Sequence, residues 1–167
     1  MKNIILIGMP SAGKSTVGVL LAKKLVMEFL DTDLVLQSES GKSLSEMIEE
    51  TGEDAFLLCE ERALLNVTCT GTVVATGGSA VYSEAGMAHL KENGIILYIK
   101  LDEGEVAERV GNLHSRGVVL HGQKTLDGLY RERTALYEKY ADCTADVTGC
   151  TVGEALDRLL AAVKPLL

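Results

Sequence analysis

The sequence predicts an α/β fold in which a parallel sheet is covered on both faces by helices. Short apolar runs alternate along the chain with longer amphipathic stretches, which is the pattern of strands joined by crossover helices. The chain has 167 residues, so we expect one domain, residues 1–167. Hydrophobic residues make up 47% of the chain and charged residues 24%, a composition that excludes a disordered or collagen-like protein.

Five short apolar runs are the candidate strands. The first, residues 3–7, is continuous and ends at Gly8, as expected of a parallel strand buried on both faces. The run at residues 94–101 is equally clear, and the others are shorter. Glycine or polar residues bound each run and are typical of strand ends. The five runs comprise residues 3–7, 29–30, 72–76, 94–101 and 145–147.

The candidate helices lie between these runs and show apolar residues spaced three or four positions apart. Three of them begin with a capping pattern, in which a short polar residue precedes a glutamate by three positions. These patterns start at Ser43, Asp102 and Thr151. Residues 111–124 are polar, contain three glycines and predict a mobile loop. The helices are predicted at residues 14–26, from 43, at 52–67, at 83–92, from 102, at 126–140, and from 151 to about 165.

The segment from Gly8 to Ser15 reads Gly-Met-Pro-Ser-Ala-Gly-Lys-Ser and fits G-x-x-x-x-G-K-[ST] at every fixed position. Glycines at its two fixed positions let main-chain N–H groups approach a phosphate closely. The helix that follows directs its N-terminal amides and positive dipole end at the same anion. In this pattern Lys14 reaches the β- and γ-phosphates, and the Ser15 hydroxyl ligates Mg²⁺. The segment therefore predicts a nucleotide-phosphate site.

Other features narrow the class of nucleotide-binding protein. A GTPase should carry a D-x-x-G switch and a base-reading N-K-x-D, but the one D-x-x-G starts at Asp146, near the chain end, and no N-K-x-D occurs. The net charge of −8 argues against nucleic acid as a partner. No apolar run reaches the length of a membrane span, so we expect no membrane association. The four cysteines are scattered, lack metal-ligand spacing and favour a reduced, cytoplasmic chain.

Four motifs occur in a definite order along the chain. The phosphate-binding segment is followed by Asp31-Thr32-Asp33, by Gly-Glu-x-x-Phe at residues 52–56, and by Gly77-Gly78 after the third strand. This arrangement resembles the shikimate kinase family over essentially the whole chain. The resemblance implies a P-loop NTPase fold of the nucleoside-monophosphate-kinase type, with a five-stranded parallel sheet in the order 2-3-1-4-5 flanked by helices. It also implies a monomeric enzyme that uses ATP and Mg²⁺ to phosphorylate a hydroxyl of a small molecule, shikimate.

The resemblance assigns the nucleotide side of the site. Ser15 would bind the metal directly, and Asp31 would support it through water. Arg109 would pack on the adenine, and Arg116 would close over the phosphates from a lid of residues 111–124. The catalytic set would be Lys14, Asp33 and Arg116, and the nucleotide would be bound by Ser11, Ala12, Gly13, Lys14, Ser15, Thr16, Arg109 and Arg116.

The resemblance also assigns the acceptor side, which includes a substrate-binding region of about residues 33–60. Asp33 would hydrogen-bond the acceptor's hydroxyls and could accept the reacting proton. Gly77 and Gly78 would place main-chain amides against the acceptor, and Arg133 would bind its carboxylate.

Three positions depart from the family pattern. Leu57 stands where the family has a second carboxylate-binding arginine, Ser79 replaces a third glycine, and Gly117 follows the lid arginine where the family usually has proline. Arg62 is five residues beyond Leu57 and therefore faces about 140° away around the helix. Two alternatives stay open on these residues: a kinase for another hydroxy acid or a sugar, and a nucleotide-binding module without transfer activity.

Overall fold

Five strands form one parallel sheet in the computed structural model, which describes residues 1–111 and 117–167. The strands are β1 (Asn3–Ile7), β2 (Glu28–Asp31), β3 (Thr72–Ala75), β4 (Gly94–Lys100) and β5 (Cys143–Asp146). Their order is β2-β3-β1-β4-β5, and every neighbouring pair is parallel. The predicted fold class and strand order are therefore confirmed.

Eight α-helices lie in the described ranges and cover the sheet. Ser43 and Thr151 each form a complete capping box, and the Asp102 carboxylate accepts the N–H of Glu105, so the three predicted helix starts are confirmed. The helices are α1 (Lys14–Leu25), α2 (Thr32–Ser40), α3 (Leu44–Thr51), α4 (Glu53–Leu65), α5 (Glu84–Glu92), α6 (Glu103–Val110), α7 (Leu126–Tyr140) and α8 (Val152–Val163), with 3₁₀ turns at Ala80–Tyr82 and Lys164–Leu166.

Two local predictions from the sequence were wrong. The segment after β2 was not predicted to be helical, yet α2 begins there because the Asp31 carboxylate accepts the N–H groups of Asp33 and Leu34. The last strand, predicted at residues 145–147, begins at Cys143 and ends before Val147. Its pairing with β4 decides this register, because Leu97 lies beside Cys143.

The core lies on both faces of the central strands. All five residues of β1 are buried, as are all but the last residue of β4, which explains why both strands read as continuous apolar runs. Helix α1 packs closely on the sheet at Gly18, where a Cβ would lie 2.8 Å from both Leu6 and Phe29. None of the helices in the described ranges has the length and apolar character needed to cross a membrane.

A second, smaller apolar cluster lies beyond the edge of the sheet. Leu36 of α2, Phe56 of α4 and Val119 of the segment before α7 are all buried in it. This cluster packs α4 against α2, and two residues of α4, Phe56 and Glu60, line the same cavity as residues that follow β1 and β3. The position of α4 matters because this helix contributes side chains to the wall of the candidate functional site.

Candidate active site

A cavity of about 650 Å³ opens at the carboxyl edge of the sheet. Loops that follow β1 and β3 contribute to its walls, together with side chains of α2, α4, α6 and α7. This is the edge at which ligands bind in open parallel sheets. Ten of the sequence-predicted site residues line the cavity: Ser11, Gly13, Lys14, Ser15, Thr16, Asp33, Gly77, Gly78, Arg109 and Arg133.

The phosphate loop, residues 8–16, joins β1 to α1 and borders one end of the cavity. Gly8 and Gly13 have φ angles of 150° and 94°, and a Cβ at Gly8 would lie 2.5 Å from the main-chain oxygen of Ile99. Only glycine fits there. Helix α1 begins at Lys14, so its free N–H groups point toward the loop. The geometry is that of an anion-binding nest.

The Lys14 ammonium group lies over this loop. Its Nζ donates to the carbonyl oxygens of Gly8 at 2.7 Å and Met9 at 2.8 Å, and the side chain is only 8% exposed. Burial lowers the pKa of Lys14 to about 8, and the nearby carboxylate of Asp33 opposes that change. A buried ammonium group next to a nest of amides favours binding of a phosphate chain.

Ser15 and Asp31 provide two oxygen atoms suited to a magnesium ion. The Ser15 Oγ donates to Asp31 Oδ2 at 2.5 Å, and the other Asp31 oxygen caps α2. Hydroxyl and carboxylate oxygens are the hard ligands that Mg²⁺ prefers, and Mg²⁺ usually keeps several waters in nucleotide sites. No cluster of three His, Cys, Asp or Glu side chains that could hold a metal occurs among the described residues, so water and phosphate oxygens would complete this site.

We call the wall formed by Asp33, Gly77, Gly78 and Arg133 the acceptor end, because these are the residues predicted to bind the acceptor. Asp33, in the first turn of α2, has a pKa raised to about 6 by burial, against the lowering effect of Lys14. Arg133 of α7 is 1% exposed; it donates to the Val119 carbonyl oxygen at 2.5 Å and lies over the ring of Tyr82. A carboxylate base and a fixed guanidinium group therefore flank the space beyond the phosphate loop.

Comparison with known proteins identifies this arrangement. A family model described as shikimate kinase matches residues 10–164. The shikimate kinase of Thermodesulfovibrio yellowstonii is 35% identical over 96% of this chain and 94% of its own length.

The chain belongs to the shikimate kinase family. The solved shikimate kinase of Acinetobacter baumannii in complex with shikimate matches it with a TM-score of 0.86 and 27% identity, covering 99% of this chain and 93% of that chain. The shikimate kinase of Aquifex aeolicus matches with a TM-score of 0.85 and 27% identity, covering 98% and 97%. The predicted family, and with it a small-molecule kinase that uses ATP, is confirmed.

One residue of the acceptor end, Glu60, was missed by the sequence analysis, and its partner Ser79 was identified only as a departure from the family pattern. Glu60 of α4 is 2% exposed and lines the cavity, and the Ser79 hydroxyl donates to its Oε2 at 2.6 Å. Burial raises the pKa of Glu60 to about 7, and the Ser79 hydrogen bond opposes that rise. The signal was present in the sequence, because Glu60 follows the buried Phe56 by four positions and so shares its helix face.

Leu57, the departure from the shikimate kinase pattern, does not reach the main cavity. It packs against the cluster of Leu36, Phe56 and Val119, and it lines a second cavity of about 330 Å³. Glu60 and Ser79 line both cavities and therefore form the wall between them. Arg62 is exposed and lines neither cavity, as its helix position predicts.

The nucleotide-side arginines are only partly described. Arg109 lines the cavity, donates to the Ser11 carbonyl oxygen at 3.4 Å and forms an ion pair with Glu105 at 3.0 Å. Arg116 lies outside the described residues, so its lid role stays a prediction. The described end of the predicted lid reaches α4, since the N–H groups of Leu120 and His121 donate to the Glu53 carboxylate at 2.7 and 3.0 Å.

Proposed function

We propose that this member of the shikimate kinase family transfers the γ-phosphate of ATP to a hydroxyl group of shikimate, with Mg²⁺ as the metal. One observation carries the proposal: a single cavity is lined by the phosphate-binding loop with Lys14, by the Asp33 carboxylate and by the Arg133 guanidinium group. A cavity of about 650 Å³ lined by all three suits a small acceptor beside a bound triphosphate.

In the proposed mechanism the residues mainly position and neutralise charge, as phosphoryl transfer requires. The loop amides and Lys14 bind the phosphates and spread the negative charge of the transferred group. Arg133 binds the acceptor's carboxylate, and Asp33 accepts the proton of the hydroxyl whose oxygen bonds to the γ-phosphorus as ADP leaves. Bound Mg²⁺, held by Ser15 and through water by Asp31, would supply further neutralisation of the phosphate oxygens.

The acceptor end needs an ionised Asp33. Its raised pKa of about 6 leaves it ionised at neutral pH yet closer to the range of an effective general base than an ordinary aspartate. The Tyr137 hydroxyl donates to the Gly78 carbonyl oxygen at 2.6 Å and orients the peptide that faces the acceptor. We also infer a monomer acting in the cytoplasm, where the four free thiols stay reduced.

A coupled assay of ADP release tests the proposal directly. Purified protein with ATP and Mg²⁺ should release ADP when shikimate is added, and the product should be a shikimate phosphate by mass spectrometry. Turnover with another hydroxy acid or a sugar, but not with shikimate, would overturn the acceptor assignment. Binding of ATP without turnover on any of these compounds would instead identify a nucleotide-binding module.

A further inference from the structure

Glu60 is a buried acid at the acceptor end with an incomplete set of partners. The Ser79 hydroxyl donates to Oε2, but Oε1 has no hydrogen-bond partner among the described residues. Oε1 faces Gly77, where a Cβ would collide with it and would also lie 2.7 Å from Asp33 Oδ1. The Glu60 carboxyl group and the Asp33 carboxylate therefore both lie against the side of Gly77 on which a Cβ would be.

The charged groups around Glu60 come from every element packed against it. From the main cavity, Lys14 of α1, Asp33 of α2 and Arg133 of α7 act on its charge. The ionisable side chains that share the second cavity with it are Asp54, Glu61, Tyr82 and His121. Within the described part of the chain, none of these groups forms an ion pair with Glu60.

The two family departures near Glu60 have one joint consequence. Leu57 puts an apolar side chain where the family has an arginine, so Glu60 lacks a second guanidinium group there besides that of Arg133. Ser79 provides a neutral hydroxyl in place of that cation. A neutral partner stabilises a buried carboxylate much less than an ion pair does, because desolvation of the charge is not offset.

We propose that Glu60 takes up a proton when the acceptor binds, so that a neutral carboxylic acid borders the acceptor's own carboxylate. The inference rests on the proposed function, because it needs an anionic acceptor at Arg133. An ionised Glu60 would compete with that acceptor for the positive charge of Arg133 and would repel it. Protonation removes both effects, and Glu60 thereby acts as a positioning residue that controls acceptor affinity.

The pKa of Glu60 places this change of protonation in a pH range that experiments can reach. Its pKa is raised to about 7 by burial and by the charge of Asp33, against the lowering effects of Ser79, Arg133 and Lys14. The acceptor's negative charge raises the pKa again, so binding favours the protonated form. Acceptor affinity is therefore complete below about pH 7 and falls as the pH rises above it.

Calorimetry of the wild-type protein measures the proton itself. Shikimate is titrated at pH 7.5 in two buffers that differ in ionisation enthalpy, and the difference in heat gives the number of protons exchanged. We expect uptake of a fraction of one proton, and a KM for shikimate that rises roughly tenfold from pH 6.5 to 8.5. Below pH 8, where Lys14 keeps its proton, the KM for ATP provides the internal comparison and should not follow this curve.

The Glu60→Gln variant separates this role from a structural one. Its amide retains the shape and keeps a hydrogen-bond donor at every pH, so shikimate binding should take up no proton through this residue and its KM should lose the pH dependence. Glu61→Gln is the matched control, since Glu61 accepts from Ser83 instead and should leave the uptake unchanged. Thermal melting checks that both variants fold.

The outcomes distinguish the inference from the proposed function. Turnover of shikimate by the wild type without proton uptake and with a flat KM would refute the inference alone. Uptake that persists unchanged in Glu60→Gln would assign the proton to another group and refute it as well. A wild type that neither binds nor phosphorylates shikimate would refute the proposed function, and the inference with it.

Discussion

Replacing Leu57 by arginine should strengthen the binding of shikimate. The new guanidinium group would enter the second cavity, three positions before Glu60 on the same helix, where the two side chains form an ion pair. Glu60 would then stay ionised without repelling the acceptor, because the arginine neutralises it. The remaining donors of the guanidinium would face the wall that Glu60 and Ser79 form between the two cavities.

The size of the effect follows from two opposing contributions. A charge-assisted hydrogen bond to the acceptor's carboxylate contributes about 1.5–3 kcal/mol. Ordering a long arginine side chain costs up to about 2 kcal/mol. The net gain is about 1 kcal/mol, which corresponds to a KM for shikimate roughly fivefold lower. The gain should be larger at pH 8.5 than at pH 6.5, since only at the higher pH is the wild-type Glu60 ionised.

Steady-state kinetics at both pH values test this prediction. Leu65→Arg is the control, because Leu65 is on the same helix, is 41% exposed and lines neither cavity, so it adds the same charge elsewhere. Melting curves report the cost of removing Leu57 from its apolar cluster, which the aliphatic part of arginine partly offsets. If the KM for shikimate equals that of Leu65→Arg at both pH values, the reasoning about Glu60 and the second cavity is wrong.

Two further predictions concern the phosphate loop and the glycine beside Glu60. Gly77→Ala should lower kcat/KM for shikimate roughly 100-fold, because its Cβ would displace two buried carboxyl groups and move the acceptor's contacts. Gly153→Ala is the control, since a Cβ there meets open space and should leave kcat/KM unchanged. Equal values of kcat/KM for the two variants would disprove the steric account. At saturating shikimate, kcat/KM for ATP should fall above about pH 8, because the lowered pKa of Lys14 means that its ammonium group loses the proton there. A profile that is flat to pH 9.5 would contradict a role for the Lys14 ammonium group in binding the phosphates.

The phosphate loop was predictable from sequence because its constraints are local. Gly8 and Gly13 both have positive φ angles, and Gly8 also lies close to Ile99. The sequence motif contains a glycine at each of these two positions and so predicts them directly. The central strands were equally readable, since burial on both faces leaves a continuous apolar run. The order of the strands, in contrast, came from the family resemblance, because no short-range pattern specifies which parallel strand lies beside which.

The acceptor end was less predictable because its properties depend on tertiary packing. Glu60 reads as a charged residue on an acidic helix, and only the placement of α4 against the glycine loop makes it a buried group with a raised pKa. Helix α2 was missed because its apolar face is small: Thr32 and Leu36 are its buried residues, and Leu34 is exposed.

The carboxylate of Glu53 joins helix α4 to the segment that precedes α7. Glu53 is the first residue of α4, the helix that carries Glu60. Its carboxylate accepts the two main-chain N–H groups that directly follow Val119. Val119 lines the main cavity, and its carbonyl oxygen accepts a hydrogen bond from Arg133. A shift of either part is transmitted to the other through one side chain. Thermodynamic linkage then requires that, if bound ATP increases the affinity for shikimate, bound shikimate increases the affinity for ATP by the same factor.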